Sequence, residues 1–208
     1  MSQLALPLAW PADQSDDAFL VGPSNERAVR VLQDWASWPV RTGLLVGPPQ
    51  SGRSLLARIF ARNSGGLVID GAQRQPETSL FHAWNRAEAA NRPSLLVLDR
   101  LPPAWAIELP DLRTRIAASP VAEIGAPDDA LLRALLERAF ARRALDARPE
   151  LVGWLATRIE RRHAAVECAV DVLDARAMER RRGLSIPFAR DTLTGAGLLG
   201  RAEPPEDR

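Results

Sequence analysis

Leu44-Leu45-Val46-Gly47-Pro48-Pro49-Gln50-Ser51-Gly52-Arg53-Ser54-Leu55-Leu56 decides how this chain folds. Its first three residues form a short apolar run that reads as a buried strand. From Leu55 to Arg62 the apolar residues recur at helical spacing, and a glycine-bracketed loop lies between the two. Strand, loop and helix in this order are what a phosphate-binding P-loop requires. Backbone N–H groups of such a loop point inward, and the helix N-terminus behind them adds partial positive charge. Gly47 and Gly52 let the backbone close around a phosphate. Gly47, Pro48, Gln50, Ser51, Gly52, Arg53, Ser54 and Leu55 are therefore the residues expected to hold a nucleotide, with the Ser54 hydroxyl placed to ligate magnesium. Where the motif has lysine this chain has Arg53, a bulkier, planar, forked donor that keeps the charge but not the lysine geometry. The bland alternative is a glycine turn with no ligand.

Composition narrows the classes. The 208 residues suit one domain, or one with a small appendage, and 46% hydrophobic content is enough for a core. The 27 basic residues nearly balance 26 acidic ones, so total charge does not argue for wrapping nucleic acid or a membrane. All the basic residues are arginine, so Arg53 partly reflects a bias of the whole chain. The single Cys168 excludes an internal disulfide and fits a reducing compartment. No stretch approaches the roughly 20 apolar residues of a membrane span. The first residues lack a basic segment and are broken by Pro7 and Pro11, which makes a poor signal peptide, and the expectation is a cytoplasmic protein.

Along the chain, Leu4, Leu6 and Leu8 alternate around Pro7. Such a segment suits an extended peptide docking into a partner's pocket, or equally a tail tucked against its own domain. Ser24 or Asn25 can cap a helix that buries Val29, Leu32 and Ala36, with Trp35 and Trp38 completing the packing. Leu67-Val68-Ile69-Asp70 reads as a second buried strand ending in an acid, placed to hold a magnesium shell beside the P-loop. Gly71, next to it, cannot act as a base, which argues against efficient hydrolysis. A helix over Thr78–Ala90 buries Leu80, Phe81, Trp84 and Ala87. Leu95–Asp99 is a third strand, Leu109–Ile116 a short helix and Pro120–Ile124 a fourth strand. Arg113 and Arg115 lie about 200° apart on that short helix and cannot serve one site.

Beyond Gly125 the pattern is helical only. Helices start at Pro127-Asp128-Asp129, at Pro149 with Leu151, Val152, Leu155 and Ile159 on one face, near Ala164, and at Pro187. The fold class is α/β: a P-loop core with a parallel sheet of about four strands, then a small all-helical lid. The expected divisions are a tail and tether over 1–17, the α/β domain over 18–125, the lid over 126–199 and a charged, disordered tail over 200–208. The charged run 176–182 reads as a solvated helix face rather than a phosphate contact, since no aromatic residues interleave it. His82 and His163 have no ligand spacing and read as structural.

With these pieces in order, the chain resembles the AAA+ proteins of the DnaA replication-initiator group over nearly its whole length. Gln3-Leu4-Ala5-Leu6-Pro7-Leu8 is similar to the peptide by which regulatory members bind the DNA polymerase sliding clamp, which makes Gln3, Leu4, Leu6, Pro7 and Leu8 the partner-binding residues. Regulatory members also carry arginine at the position of Arg53. Leu109–Ile116 is similar to the group's box VII segment, whose arginine finger falls on Arg115, and Leu184-Ser185-Ile186-Pro187-Phe188 looks like its closing helix. The resemblance implies a regulator of bacterial replication initiation that binds the clamp and stimulates ATP hydrolysis by DnaA through Arg115 acting in trans, preventing re-initiation. Its own P-loop would hold ADP in preference to ATP, with magnesium through Ser54 and Asp70 and little or no turnover. Self-association is plausible, because AAA+ sites sit between subunits. Sequence-specific DNA binding is not implied, since the initiator's C-terminal DNA-binding domain has no counterpart here. Two alternatives stay open: an AAA+ ATPase or loader acting on DNA, and a clamp-binding adaptor with an inert nucleotide site.

The departures are specific. An AAA+ core usually has five strands, and the one expected between the P-loop helix and Leu67 is missing, which would put the Asp70 strand at the sheet edge. The sensor 2 arginine aligns with Ala164, leaving Arg161 or Arg162 as substitutes.

Overall fold

The computed structural model describes residues 19–180 and 183–199. Two compact units divide the chain, one running to Gly125 and the other starting at Ala126. The first is α/β. Its described elements are α1 (Glu26–Gln33), β1 (Thr42–Val46), α2 (Arg53–Ser64), β2 (Leu67–Ile69), α3 (Glu77–Ala89), β3 (Ser94–Leu98), α4 (Pro110–Ala117) and β4 (Val121–Glu123).

The four strands form one parallel sheet in the order β2-β3-β1-β4. Parallel strands covered on both faces have no polar side to show, which is why β1 and β3 are apolar runs and why every residue of both is buried. Alternation then sorts them. Leu45, Leu95, Val97, Ala122 and Ile124 pack on one face with Ala28, Val29 and Leu32 of α1 and Leu56, Ala57 and Phe60 of α2. Leu44, Val46, Leu96 and Leu98 pack on the other with Leu80 and Trp84 of α3, Leu112 and Ile116 of α4, and Trp105 and Ile107. Where the register sets Thr42 opposite Ser94, the two buried hydroxyls satisfy each other at 2.7 Å. Gly43 is small for a steric reason. A Cβ there would stand 2.4 Å from the Trp38 ring, which stacks on Phe60 with centroids 5.6 Å apart.

The sheet has the four parallel strands expected from the sequence, with β2 at an edge. Local details differ. Ala36 is exposed in a 3-10 turn over Trp35–Ser37, because α1 ends at Gln33. Asn25 precedes α1 but makes no cap bond to it; its side chain accepts from the Gly22 N–H and donates to the Leu20 carbonyl, which ties down the incoming chain. Phe81 is half-buried rather than core.

The second unit is helical: α5 (Asp129–Arg142), α6 (Pro149–Ala156), α7 (His163–Arg180) and α8 (Ile186–Gly195). Asp128 caps α5 by accepting from the Leu131 N–H at 2.9 Å. Leu132, Leu136, Leu155, Ala169, Val170, Leu173 and Leu193 are fully enclosed and form its interior. Ile159 is buried but lies beyond the end of α6, so it packs from the following turn and not from the helix face.

Candidate functional site

In an open parallel sheet, ligands bind outside the carboxyl ends of the strands, at the point where the strand order reverses. Here that point is the carboxyl end of β1, flanked by β3 and β4, and it opens into residues 47–52. Gly47 is crowded: a Cβ would stand 3.0 Å from both the Ile124 carbonyl and the Ser51 hydroxyl, closer than most real contacts. Gly52 has φ 86°, which glycine adopts without cost, and a Cβ there would meet the Phe19 ring at 3.0 Å. Gln50 also has positive φ, at 62°. The loop therefore turns twice through left-handed backbone before delivering the N-terminus of a 12-residue helix, the local arrangement that suits an anion. Ser51 is 1% exposed, and its hydroxyl has no hydrogen-bond partner. An orphaned buried hydroxyl inside a tightly packed cradle fits a phosphate loop.

The side chains at the helix start are already engaged. Ser54 Oγ donates to Asp70 Oδ2 at 2.6 Å, so the two residues expected to share a magnesium shell are adjacent. Hydroxyl and carboxylate oxygens are the hard donors magnesium prefers, alongside the phosphates it bridges. Among the described residues no group of three or more His, Cys, Asp or Glu could hold a metal, so any ion here would need phosphate oxygens. Arg53 does not lie over the loop. Its Nη2 pairs with Asp99 Oδ1 at 2.7 Å and its Nη1 donates to the Leu98 carbonyl, leaving the side chain 12% exposed. Gln73 Nε2 and, at 3.4 Å, Arg74 Nη2 reach the other carboxylate oxygen.

Asp99, Gln73, Arg74 and Phe19 are the residues the sequence did not assign to the site. Asp99 ends an apolar run just as Asp70 does, but only the strand order shows that β3, and not β2, is the neighbour of β1. The hydrogen bond from Arg53 holds the Asp99 carboxyl below its ordinary 3.8, with Coulomb attraction to Arg53 and Arg74 and the Gln73 bond adding to it against partial burial. A carboxyl depressed by folding stabilises the fold above its unfolded value, and that stability is lost as pH falls through the folded one. Below about pH 4 the wild-type chain should thus lose stability more steeply than Asp99→Asn, measured as urea midpoints across an acid series. Parallel curves would mean that the Arg53 pair contributes nothing to folding.

Arg115 is half-buried on α4. Its Nη1 donates to Asn85 Oδ1 at 2.7 Å, its Nη2 pairs with Asp111 at 3.1 Å, and its guanidinium lies over the Phe81 ring at 4.8 Å and near Trp84 at 5.9 Å. Arg113 points elsewhere, donating to the Ile107 carbonyl at 2.6 Å. Arg161 and Arg162, the candidates for the sensor 2 position, are tied within the second unit, Arg161 to Asp129 at 2.7 Å and Arg162 to Glu160 through Nε at 2.7 Å. In the basic run, Arg176 pairs with Glu179 at 2.6 Å, and residues 181–182 lie outside the described residues. So do Gln3, Leu4, Leu6, Pro7 and Leu8. Among the described residues no helix is long and apolar enough to cross a membrane.

Fold and loop together make a P-loop α/β architecture followed by helices, and solved structures share that fold. Domain III of DnaA from Thermotoga maritima matches with a TM-score of 0.72 at 16% identity, over 88% of this chain and 97% of that one. AMPPCP-bound DnaA from Aquifex aeolicus matches at 0.62 and 16%, over 79% and 65%. The Thermotoga maritima RuvB Holliday junction branch migration motor matches at 0.64 and 16%, over 84% and 70%. In the second unit, the family model described as "Hda, lid domain" matches residues 128–193. Residues 128–193 are thus similar to the Hda lid domain, and the fold is the one seen in domain III of DnaA. A curated but uncharacterized protein of Haemophilus influenzae is 29% identical over 118 residues, 56% of this chain and 51% of its own length, so this chain spans about half of it.

Proposed function

We propose that this protein switches off DnaA after replication begins, docked on the DNA polymerase sliding clamp and lending Arg115 to the ATP site of DnaA. The observation that carries the proposal is the Hda lid match over residues 128–193, on a chain whose fold is that of DnaA domain III. Gln3, Leu4, Leu6, Pro7 and Leu8 would bind the clamp through alternate side chains of an extended peptide. Gly47, Pro48, Gln50, Ser51, Gly52, Arg53, Ser54 and Leu55 would hold ADP as a structural ligand, with magnesium between Ser54, Asp70 and the phosphates. A bound nucleotide would supply the negative charge that the loop's N–H groups answer. Arg115 supplies the chemistry, because a guanidinium placed in trans stabilises the charge that builds up as a phosphoryl group is transferred.

A second reading is favoured by one feature, the contacts of Arg115 with Asn85, Asp111, Phe81 and Trp84 in its own unit. An adaptor that only bridges the clamp to a partner would use Arg115 to brace α4 against α3. Loss of DnaA-bound ATP in a mixture with clamp-loaded DNA separates the two, run with wild type, Arg115→Ala and a chain lacking residues 1–8. The inactivator requires both variants to fail. Wild-type behaviour of Arg115→Ala alone leaves the adaptor, and wild-type behaviour of both removes the assignment.

A further inference from the structure

We propose that Asp99 is an internal counter-ion that competes with phosphate for Arg53, withholding the loop's cation until a nucleotide displaces the carboxylate. The inference rests on the reading of residues 47–55 as a nucleotide site. Arg53 stands first in α2, directly behind the loop, yet its guanidinium is spent on the tip of β3: Nη2 on Asp99 Oδ1 at 2.7 Å and Nη1 on the Leu98 carbonyl. The carboxylate is fixed in turn, since Gln73 and Arg74, in the 3-10 turn after β2, engage its second oxygen. A guanidinium fork recognises carboxylate and phosphate through the same planar geometry, so the two ligands are alternatives for one cation. Nearby, the Ser54 hydroxyl donates to Asp70, so both polar side chains that open α2 are answered by the protein's own carboxylates.

The apparent affinity for a nucleotide is the intrinsic affinity reduced by the fraction of molecules whose binding group is free. Neutralising the competitor while keeping its shape should raise that fraction. Asp99→Asn leaves an acceptor for Arg53 but removes the charge, and charge-assisted bonds are about twice as strong as neutral ones. ADP affinity should therefore tighten by about tenfold. Asp99→Glu keeps the carboxylate and should stay near wild type. Adenosine, which offers no phosphate to Arg53, should bind all chains alike, whereas general loosening of the pocket would move both ligands together.

The experiment is calorimetric titration of the full chain with ADP and with adenosine at fixed ionic strength, using wild type, Asp99→Asn, Asp99→Glu and, should the first variant not fold, Asp99→Ser. Tenfold tighter ADP binding by the uncharged variant, with adenosine unmoved and Asp99→Glu at the wild-type value, is the expected result. ADP binding by wild type that the uncharged variant leaves equal or weakens overturns the counter-ion and leaves the nucleotide site standing. Parallel gains for ADP and adenosine overturn it as well. No ADP binding by any chain at millimolar concentration overturns both.

Discussion

With Arg115 replaced by alanine, ATP on DnaA in a mixture with clamp-loaded DNA is expected to disappear more slowly than with wild type by a factor on the order of 10³. A factor of that size is about 4 kcal/mol of transition-state stabilisation. The competing cost is that of freeing the side chain. Arg115 is 29% exposed, its ion pair is to the exposed Asp111, and its hydrogen bond is to the exposed Asn85. Exposed pairs of this kind are worth about 0.2–1 kcal/mol each, and stacking on Phe81 adds a comparable ~0.5–1 kcal/mol at an exposed site. Release therefore costs less than a finger contributes, and these contacts hold Arg115 ready without locking it. Asn85→Ala, which removes one of them, should leave the stimulated rate at or above wild type. Arg115→Lys keeps the charge but not the fork, so it should recover only part of the rate. If Arg115→Ala stimulates like wild type, the contacts with α3 are the residue's whole purpose.

What could be read from the sequence, and what could not, follows from the range of the forces involved. β1 and β3 are legible because both of their faces are covered, which writes an unbroken apolar run into Leu44–Val46 and into Leu95–Leu98. The loop is legible because two glycines bracket it within six residues; the left-handed φ of Gly52 is a local constraint, whereas the crowding at Gly47 comes mostly from distant Ile124. Strand order is not written locally. Nothing in Leu95–Asp99 says that it lies between β1 and β2, and so its local pattern gives Asp99 no place beside Arg53. The partners of Arg115 were hidden for the same reason: Asn85 and Phe81 are thirty and more positions upstream, and α3 meets α4 only through tertiary packing. Ala36 shows the reverse error, a helical period carried past Gln33, where the helix had already given way to a tighter turn.

Phe60→Ala is expected to lower the stability of the first unit by about 3–5 kcal/mol. The phenyl ring is 0% exposed and belongs to the cluster under α2. Burying such a ring contributes on the order of 1.5–3 kcal/mol by area alone, and its stacking on Trp38, with ring planes 10° apart, adds about 0.5–1.5 kcal/mol. The cavity could close only if Trp38 moved, but that ring also covers the backbone of Gly43, where a Cβ would clash at 2.4 Å, and its Nε1 donates to the Val31 carbonyl at 2.9 Å. Held at three points, Trp38 cannot follow, which places the expected loss in the upper half of the range. Urea unfolding followed by tryptophan fluorescence measures it, and Phe60→Leu, which nearly fills the volume, should cost under about 1.5 kcal/mol. A loss below 1 kcal/mol for Phe60→Ala would show that α2 is not anchored by this ring. The consequence reaches the site, because Phe60 lies on the helix whose first residue is Arg53. A helix free to shift on the sheet cannot keep its N-terminus aimed at a phosphate, so ADP binding should weaken together with stability. Asp99→Asn is expected to move the two in opposite directions, tightening ADP while giving up the stability of the ion pair. The two substitutions together therefore distinguish a loop weakened by loss of support from one restrained by its own carboxylate.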